Sequence, residues 1–191
     1  MSATRRCHLL LGMTISLLVS FSAVAQNPAP APPQKLSLTA ALVLTPEFCA
    51  TVTEKKHEKF PVGKAACTEL EPALQPVFTS LARVDDTSKA GDAQLVLEPK
   101  FSDVGSTQKA FAFSNRELTV LVDWTVRDQS GKVIWLETVQ GLAKRHIGNL
   151  YTHGSNLKHI VNDSVQDMAQ QSAAKMSSAP ELLKLSVASV K

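Results

Sequence analysis

The sequence predicts an α+β fold whose elements run in the order strand, helix, strand, hairpin, helix. Apolar and polar residues alternate with period two over residues 118–127, which is typical of a strand with one buried face. Apolar residues recur at helical spacing over 62–84 and again over 157–178. Two helical stretches separated by strand patterns therefore define the class.

Residues 1–25 have the pattern of a secretion signal. Two arginines precede an apolar run over 9–21, and Ala-Val-Ala ends at Ala25, as signal peptidase requires. We expect cleavage between Ala25 and Gln26 and a periplasmic or secreted protein. An uncleaved anchor is the alternative, although the run is shorter than the roughly 18 residues of a spanning helix. Cys7 precedes the run, so no lipid anchor is indicated, and membrane association needs another cause.

The remaining chain is predicted to form one domain. Residues 26–35 hold four prolines in ten positions and predict a semi-stiff linker, with a disordered tail as the alternative. We place the domain at 36–178 and a C-terminal tail at 179–191. The formal charge of +3 falls to +1 without the two signal arginines, so the sequence gives no support for nucleic-acid binding.

Two cysteines follow the signal, and an exported pair predicts a disulfide. Cys49 lies near the end of the first predicted strand and Cys67 lies in the first helix. A bond between them would tie these elements together across the charged run at 54–59, which we interpret as a solvated loop or edge. Two buried free thiols are the alternative.

The first half of the domain begins with a strand over 36–44, which Pro46 ends. A helix is predicted over 62–84. Pro72 and Pro76 fall opposite its apolar stripe on a helical wheel, so a single bent helix can hold both of them. Two short helices are the alternative.

The second half contains three strands. Residues 93–101 predict one strand, with an edge or bulge at Pro99. The period-two strand over 118–127 is followed by a turn at 128–131 and a partner strand over 133–139. Glycine in the turn supplies a positive φ, so the charged residues there are interpreted as a hairpin tip rather than a site.

The last helix is predicted from an N-cap at Ser155 or Asn156 to about residue 178. The tail after it is compatible with a short helix or a loose end. His159, Asp163 and Asp167 recur four residues apart on this helix, as metal ligands on one face would.

This trio points away from the apolar stripe of its helix and faces solvent, where polar residues need no special role. A metal site is therefore only the alternative interpretation, in which His146 and His153 from the preceding loop add ligands. No cofactor is indicated. Nucleophile elbows, phosphate-binding loops, dinucleotide-binding turns and zinc-protease motifs are missing from the sequence, so we expect no enzyme.

Five segments carry a resemblance to known proteins: TPEF at 45–48, FPVGKA at 60–65, LVLEP at 95–99, FAFSN at 111–115 and VRDQSGKVIW at 126–135. With the element order and the signal, they resemble the small α+β envelope proteins of Gram-negative bacteria. That group includes the lipopolysaccharide-assembly lipoprotein, the N-terminal domain of TolB and the ABC-transport auxiliary lipoproteins. The resemblance implies two helices on one face of a mixed or antiparallel sheet of about four strands, and envelope assembly or transport support rather than catalysis.

We therefore expect an exported binding or assembly module with an envelope protein as its partner. A sheet edge at Pro99, or near Glu54, would let a partner strand add through main-chain hydrogen bonds. The alternative is a periplasmic carrier that holds a small apolar ligand or lipid between helices and sheet. A metal-binding protein or an enzyme of unknown class is the remaining alternative.

Overall fold

The computed structural model describes residues 34–55, 57–108, 115–146 and 153–188. The predicted signal, its cleavage site at Ala25–Gln26 and most of the proline-rich linker lie outside the described residues. The elements, in chain order, are β1 (Leu36–Val43), α1 (Pro46–Cys49), β2 (Thr53–Lys55), β3 (Glu58–Phe60), α2 (Val62–Leu74), β4 (Phe78–Val84), β5 (Leu95–Gln108), β6 (Asn115–Asp128), β7 (Val133–His146), α3 (His153–Ser178) and α4 (Pro180–Ala188).

The main sheet is mixed and has five strands in the order β4-β1-β5-β6-β7. β4, β1 and β5 run parallel, whereas β5, β6 and β7 form an antiparallel meander. β2 and β3 pair separately as a small hairpin. The α+β class is confirmed, but the described residues contain four α-helices and a larger sheet than the predicted two helices and four strands.

The largest error in the sequence prediction is the long helix over 62–84. α2 ends at Leu74, and the chain re-enters the sheet at Phe78 as β4. Pro76 explains the end of the helix, because Gln75 still donates to the Glu71 carbonyl but proline lacks the N–H that would make the next α-helical hydrogen bond. Pro72 is tolerated inside α2 as predicted. Pairing with β1 then decides the conformation of residues 78–84.

The hairpin prediction is confirmed, and both of its strands are longer than predicted. Gly131 has a φ of 82°. The Asp128 carboxylate accepts hydrogen bonds from the hydroxyl and N–H of Ser130 and from the N–H of Lys132. The bond from the Ser130 hydroxyl contributes most to lowering the pKa of Asp128 below its ordinary value. The charges at this tip stabilise the turn itself.

The core lies between one face of the sheet and helices α2 and α3. Trp124 is fully buried there, and its Nε1 donates to Ser172 Oγ at 2.9 Å, so its polar atom is satisfied. α3 lies so close to β7 that a Cβ on Gly141 would overlap the carbonyl oxygen of Ser164. Glycine is therefore required at this point of β7.

The last helix begins at His153, two residues before the predicted cap at Ser155. The ambiguous tail forms α4. Leu182 of α4 is fully buried, and Ser186 Oγ accepts from the Ser37 N–H of β1 at 2.7 Å. α4 thus packs beside the N-terminal part of β1.

Candidate binding site at the free edge of β4

The predicted disulfide is present and adjoins β4. Cys49, at the end of α1, is bonded to Cys67 of α2, with 5.7 Å between their Cα atoms. Arg83 of β4 donates to the Cys67 carbonyl at 3.1 Å, and its second terminal nitrogen lies 3.7 Å from Cys49 Sγ. The disulfide and Arg83 therefore hold α1, α2 and β4 together.

Two of the three candidate metal ligands on α3, Asp163 and Asp167, form hydrogen bonds to β7 instead. Asp163 Oδ2 accepts from Arg145 Nε at 2.6 Å, and this bond raises the pKa of Arg145 above its ordinary value. Asp167 Oδ2 accepts from the Leu142 N–H at 2.8 Å. Both aspartates are half-buried rather than solvent-facing as predicted, whereas His159 is exposed. Among the described residues, no three His, Cys, Asp or Glu side chains are grouped as metal ligands would be.

The two histidines considered as extra ligands lie at the ends of elements. His146 closes β7, where its Nδ1 is 3.4 Å from Asn115 Oδ1 of β6. His153 is the first residue of α3, and its side chain lies outside the described part of the structure. Neither is brought to Asp163 or Asp167 by a described contact.

α3 also covers the outer edge of β7. Asp167 binds the outward N–H of Leu142, and Lys175 Nζ lies 3.4 Å from the outward carbonyl of Thr138. Lys175 is held there by Glu137 at 2.5 Å. An edge strand whose main-chain groups are bound by side chains, with lysine alongside, is protected against pairing with another chain.

The free part of β5 is protected by other means. β1 pairs with β5 only at residues 95–97, so the strand from Pro99 onward has β6 on one side and no ladder on the other within the described chain. Pro99 has no N–H to offer there, and Ser102 forms a bulge. The Lys55–Asp103 ion pair at 3.3 Å ties the β2–β3 hairpin to this part of β5. Pro99 thus marks an edge, as predicted, but one unsuited to accepting a strand.

The charged run at 54–59, predicted to be a solvated loop or edge, contributes to the β2–β3 hairpin, which packs against a buried arginine. Arg116 is 4% exposed, pairs with Glu58 and lies over the Phe60 ring, 5.4 Å from its centroid. Burial lowers the pKa of Arg116 from its ordinary value. With Ser106, it lines a cavity of about 450 Å³. Sequence reasoning missed Arg116, although its even position, shared with Leu118, places it on the apolar face of β6.

β4 is the remaining edge strand, and no described strand pairs with its outer side. The Leu44 N–H donates to the Val84 carbonyl at 2.8 Å, so Val84 and Ala82 direct their main-chain groups toward β1. Leu81 and Arg83 direct theirs outward by alternation.

β4 carries no proline and a single charge, Arg83. Its pairing with β1 shifts register opposite Phe78–Ser80, where the Thr79 hydroxyl donates to the Leu36 carbonyl at 3.1 Å, and is regular over 80–84. Within the described ranges, no strand pairs with the outward main-chain groups of Leu81 and Arg83.

Comparison with known proteins shows the fold. No family model matches the chain, and no curated protein matches its sequence. The structure is similar to a minor lipoprotein from Acinetobacter baumannii, with a TM-score of 0.50 and 16% identity over 74% of this chain and 92% of that one. It is also similar to a Xanthomonas campestris protein of family DUF330, with a TM-score of 0.57 and 12% identity over 86% of this chain and 94% of that one. At these identities the likeness concerns the fold alone.

This likeness supports the predicted resemblance to envelope lipoproteins in its coarser form. The fold is one found in a minor lipoprotein, and the likeness does not point to the lipopolysaccharide-assembly lipoprotein or to TolB. In the described ranges, no helix combines the length and the hydropathy needed to cross a membrane.

Proposed function

We propose that this protein is an exported, non-catalytic binding and assembly module of the cell envelope, and that it acts by accepting an extended strand at the outer edge of β4. The observation that carries the proposal is the contrast between the sheet edges. α3 covers β7, and a proline, a bulge and an ion pair interrupt the free part of β5. No described strand pairs with the outer side of β4, whose residues 80–84 pair regularly with β1.

An unprotected edge is a hazard that stable proteins usually remove, because it templates aggregation. In the described part of the chain, the sheet leaves the β4 edge uncovered although its β7 and β5 edges are protected. This arrangement is explained if the β4 edge binds a partner strand. Strand addition supplies affinity through main-chain hydrogen bonds and needs no deep pocket. The disulfide and Arg83 hold β4 to the body of the domain, so the edge is a rigid template.

A predicted export signal supports the envelope location. The N-terminal pattern over 1–25 is that of a secretion signal, and the fold is shared with a minor lipoprotein. The non-catalytic part of the proposal is supported by where pKa shifts arise. Among the described residues, the carboxylates with lowered pKa values are Asp85, Asp86 and Asp128. Asp85 and Asp86 are exposed, and Asp128 is partly exposed at the end of β6. Each is bonded to its own neighbours, first to Lys89, Ser88 and Ser130 respectively.

Site-specific photo-crosslinking in living cells tests the proposal. A photoreactive amino acid at the exposed Ala82 is expected to trap an envelope protein, identified by mass spectrometry, whereas the same group at the exposed Gln140 of the covered β7 is expected to trap none. Ala82 lies on the free edge and Gln140 beside α3, so the pair isolates the edge from general surface exposure.

Two results would overturn the proposal. One is the absence of any adduct from Ala82 together with stoichiometric lipid on the purified protein in native mass spectrometry, which would establish the carrier. The other is substrate turnover that survives purification and is abolished by one polar substitution, which would establish an enzyme.

A further inference from the structure

We propose that the Cys49–Cys67 disulfide is a thiol–disulfide exchange site, at which a dithiol reduces the bond by attack on Cys49 while the domain stays folded. The reactant is defined by its chemistry: two thiols close enough to form a disulfide with each other. The site involves the two sulfur atoms and not the main-chain groups of β4, so it stands whether or not a strand binds at that edge.

A surface groove gives access to Cys49. Both cysteines are partly exposed, and Cys49 lines a groove of about 870 Å³ together with Leu81 and Arg83 of β4. Among the described residues that line this groove, Cys67 is not included. A thiolate has to reach the sulfur that it attacks, so the groove favours Cys49 as the attacked residue.

Arg83 supplies the positive charge nearest to the sulfur. One of its terminal nitrogens lies 3.7 Å from Cys49 Sγ. Lys89 lines the same groove but is paired with Asp85. During exchange, negative charge spreads over the attacking, attacked and leaving sulfurs, whereas the intact disulfide is neutral. A guanidinium at this position therefore stabilises the transition state more than the starting state.

Other contacts hold α1 in place when the bond opens. Phe48 of α1 stacks on Phe101, with 4.6 Å between the ring centroids. The Gly63 N–H of α2 donates to the Thr51 carbonyl at 3.0 Å, and a Cβ on Gly63 would overlap the carbonyl oxygen of Phe48. This close packing keeps the two thiols near each other, so the bond can form again.

The exchange takes two steps. A thiolate of the dithiol attacks Cys49 Sγ, the bond between Cys49 and Cys67 breaks, and Cys67 leaves as a thiolate that takes up a proton. The second thiol of the dithiol, once deprotonated, attacks its own partner sulfur in the mixed disulfide, and Cys49 leaves as a thiolate beside Arg83. Two electrons pass to the cysteine pair, and the dithiol becomes a disulfide.

Reduction of the purified protein by dithiothreitol without urea tests the proposal, with free thiols alkylated at timed intervals and counted by mass spectrometry. The rate is expected to rise in proportion to the dithiothreitol concentration and to be unchanged by urea far below the unfolding midpoint, because the folded protein reacts. Arg83→Gln should slow reduction by about threefold or more, and Arg83→Lys should keep most of the rate. Lys100→Gln removes an exposed cation from β5 and is the matched control, with no expected change.

Two further measurements separate the chemistry from a structural effect of Arg83, which also bonds the Cys67 carbonyl. Added salt should slow reduction of the wild type but not of Arg83→Gln, because it screens the guanidinium charge. Glutathione, a monothiol, followed by an acid quench should leave its adduct on Cys49. Adducts on Cys67, reduction that accelerates in dilute urea, a salt-independent wild-type rate, or equal slowing by Arg83→Gln and Lys100→Gln would each overturn the proposal.

Discussion

Gly141 offers a direct test of how α3 is seated on the sheet. It is the residue of β7 over which α3 passes most closely, and the packing leaves no room for a side chain. A Cβ built at Gly141 would overlap the Ser164 carbonyl oxygen, and it would lie 2.5 Å from Met168 Cβ and 2.6 Å from the Met168 nitrogen. We therefore expect Gly141→Ala to push α3 away from β7.

The magnitude follows from the atoms involved. Carbon atoms attract best at about 3.5–4.0 Å, so α3 has to move by roughly 1 Å. Two of the three obstructing atoms belong to the backbone of α3 and cannot rotate away. The cost should therefore lie at the upper end of the range for overpacked cores, about 3 kcal/mol. The bonds that α3 makes to β7 through Asp167 and Lys175 would weaken at the same time.

Urea denaturation followed by circular dichroism measures the effect. With an m-value of about 2 kcal/mol/M for a domain of this size, the midpoint should fall by about 1.5 M, and the melting temperature by about 6–12 °C. Gly105→Ala in β5 is the matched control, because its new Cβ would meet only Thr119 Cβ at 3.8 Å. It should be neutral or stabilise by about 0.5 kcal/mol. If Gly141→Ala unfolds at the wild-type urea concentration, α3 is not seated on β7 as described.

Three further predictions concern the disulfide, the buried arginine and the turn. Replacing both Cys49 and Cys67 by Ser should lower the free energy of unfolding by about 3 kcal/mol, since the bond spans 18 residues; equal urea midpoints with and without reductant would contradict this. Glu58→Gln leaves the buried charge of Arg116 without its carboxylate and should cost about 2–3 kcal/mol in the same assay, so a loss below 0.5 kcal/mol would remove the ion pair from the argument. Asp128 has a lowered pKa when folded, so its carboxylate stabilises the fold above about pH 4 and this stabilisation is lost as the pH falls through the folded pKa. The stability difference between wild type and Asp128→Asn should therefore shrink in acid, and a constant difference from neutral to acidic pH would argue against the turn bonds.

The sequence was most informative where one face of a strand is buried and the other is not. Period two predicted β6, and the positive φ required at Gly131 predicted the turn. The same period, extended two residues upstream, places Arg116 on the buried face, which is where it lies. Local pattern is enough in such cases because neighbouring strands only reinforce it.

The sequence was least informative where a partner lies across space. A helical wheel correctly aligned Asp163 and Asp167, but it could not show that β7 runs beside them. Their carboxylates therefore looked like possible metal ligands on a solvated face, whereas they bind Arg145 and the Leu142 N–H. A helical wheel gives the direction in which a side chain leaves the helix axis, but it does not show which other element lies beside that helix.

β4 carries the proposed function, and it is also the strand that the sequence pattern predicted as helix. Its exposure explains both. An interior strand buries at least one face, and this produces the alternation from which strands are predicted. β4 is exposed at Thr79, Ser80, Ala82 and Arg83, so almost no alternation remains, and its apolar residues could be fitted to a helical spacing continued from α2. An edge that accepts a partner strand must also be exposed to solvent, as β4 is. In this chain, the weak hydrophobic periodicity that follows Pro76 is therefore what we expect if β4 is kept free for a partner strand.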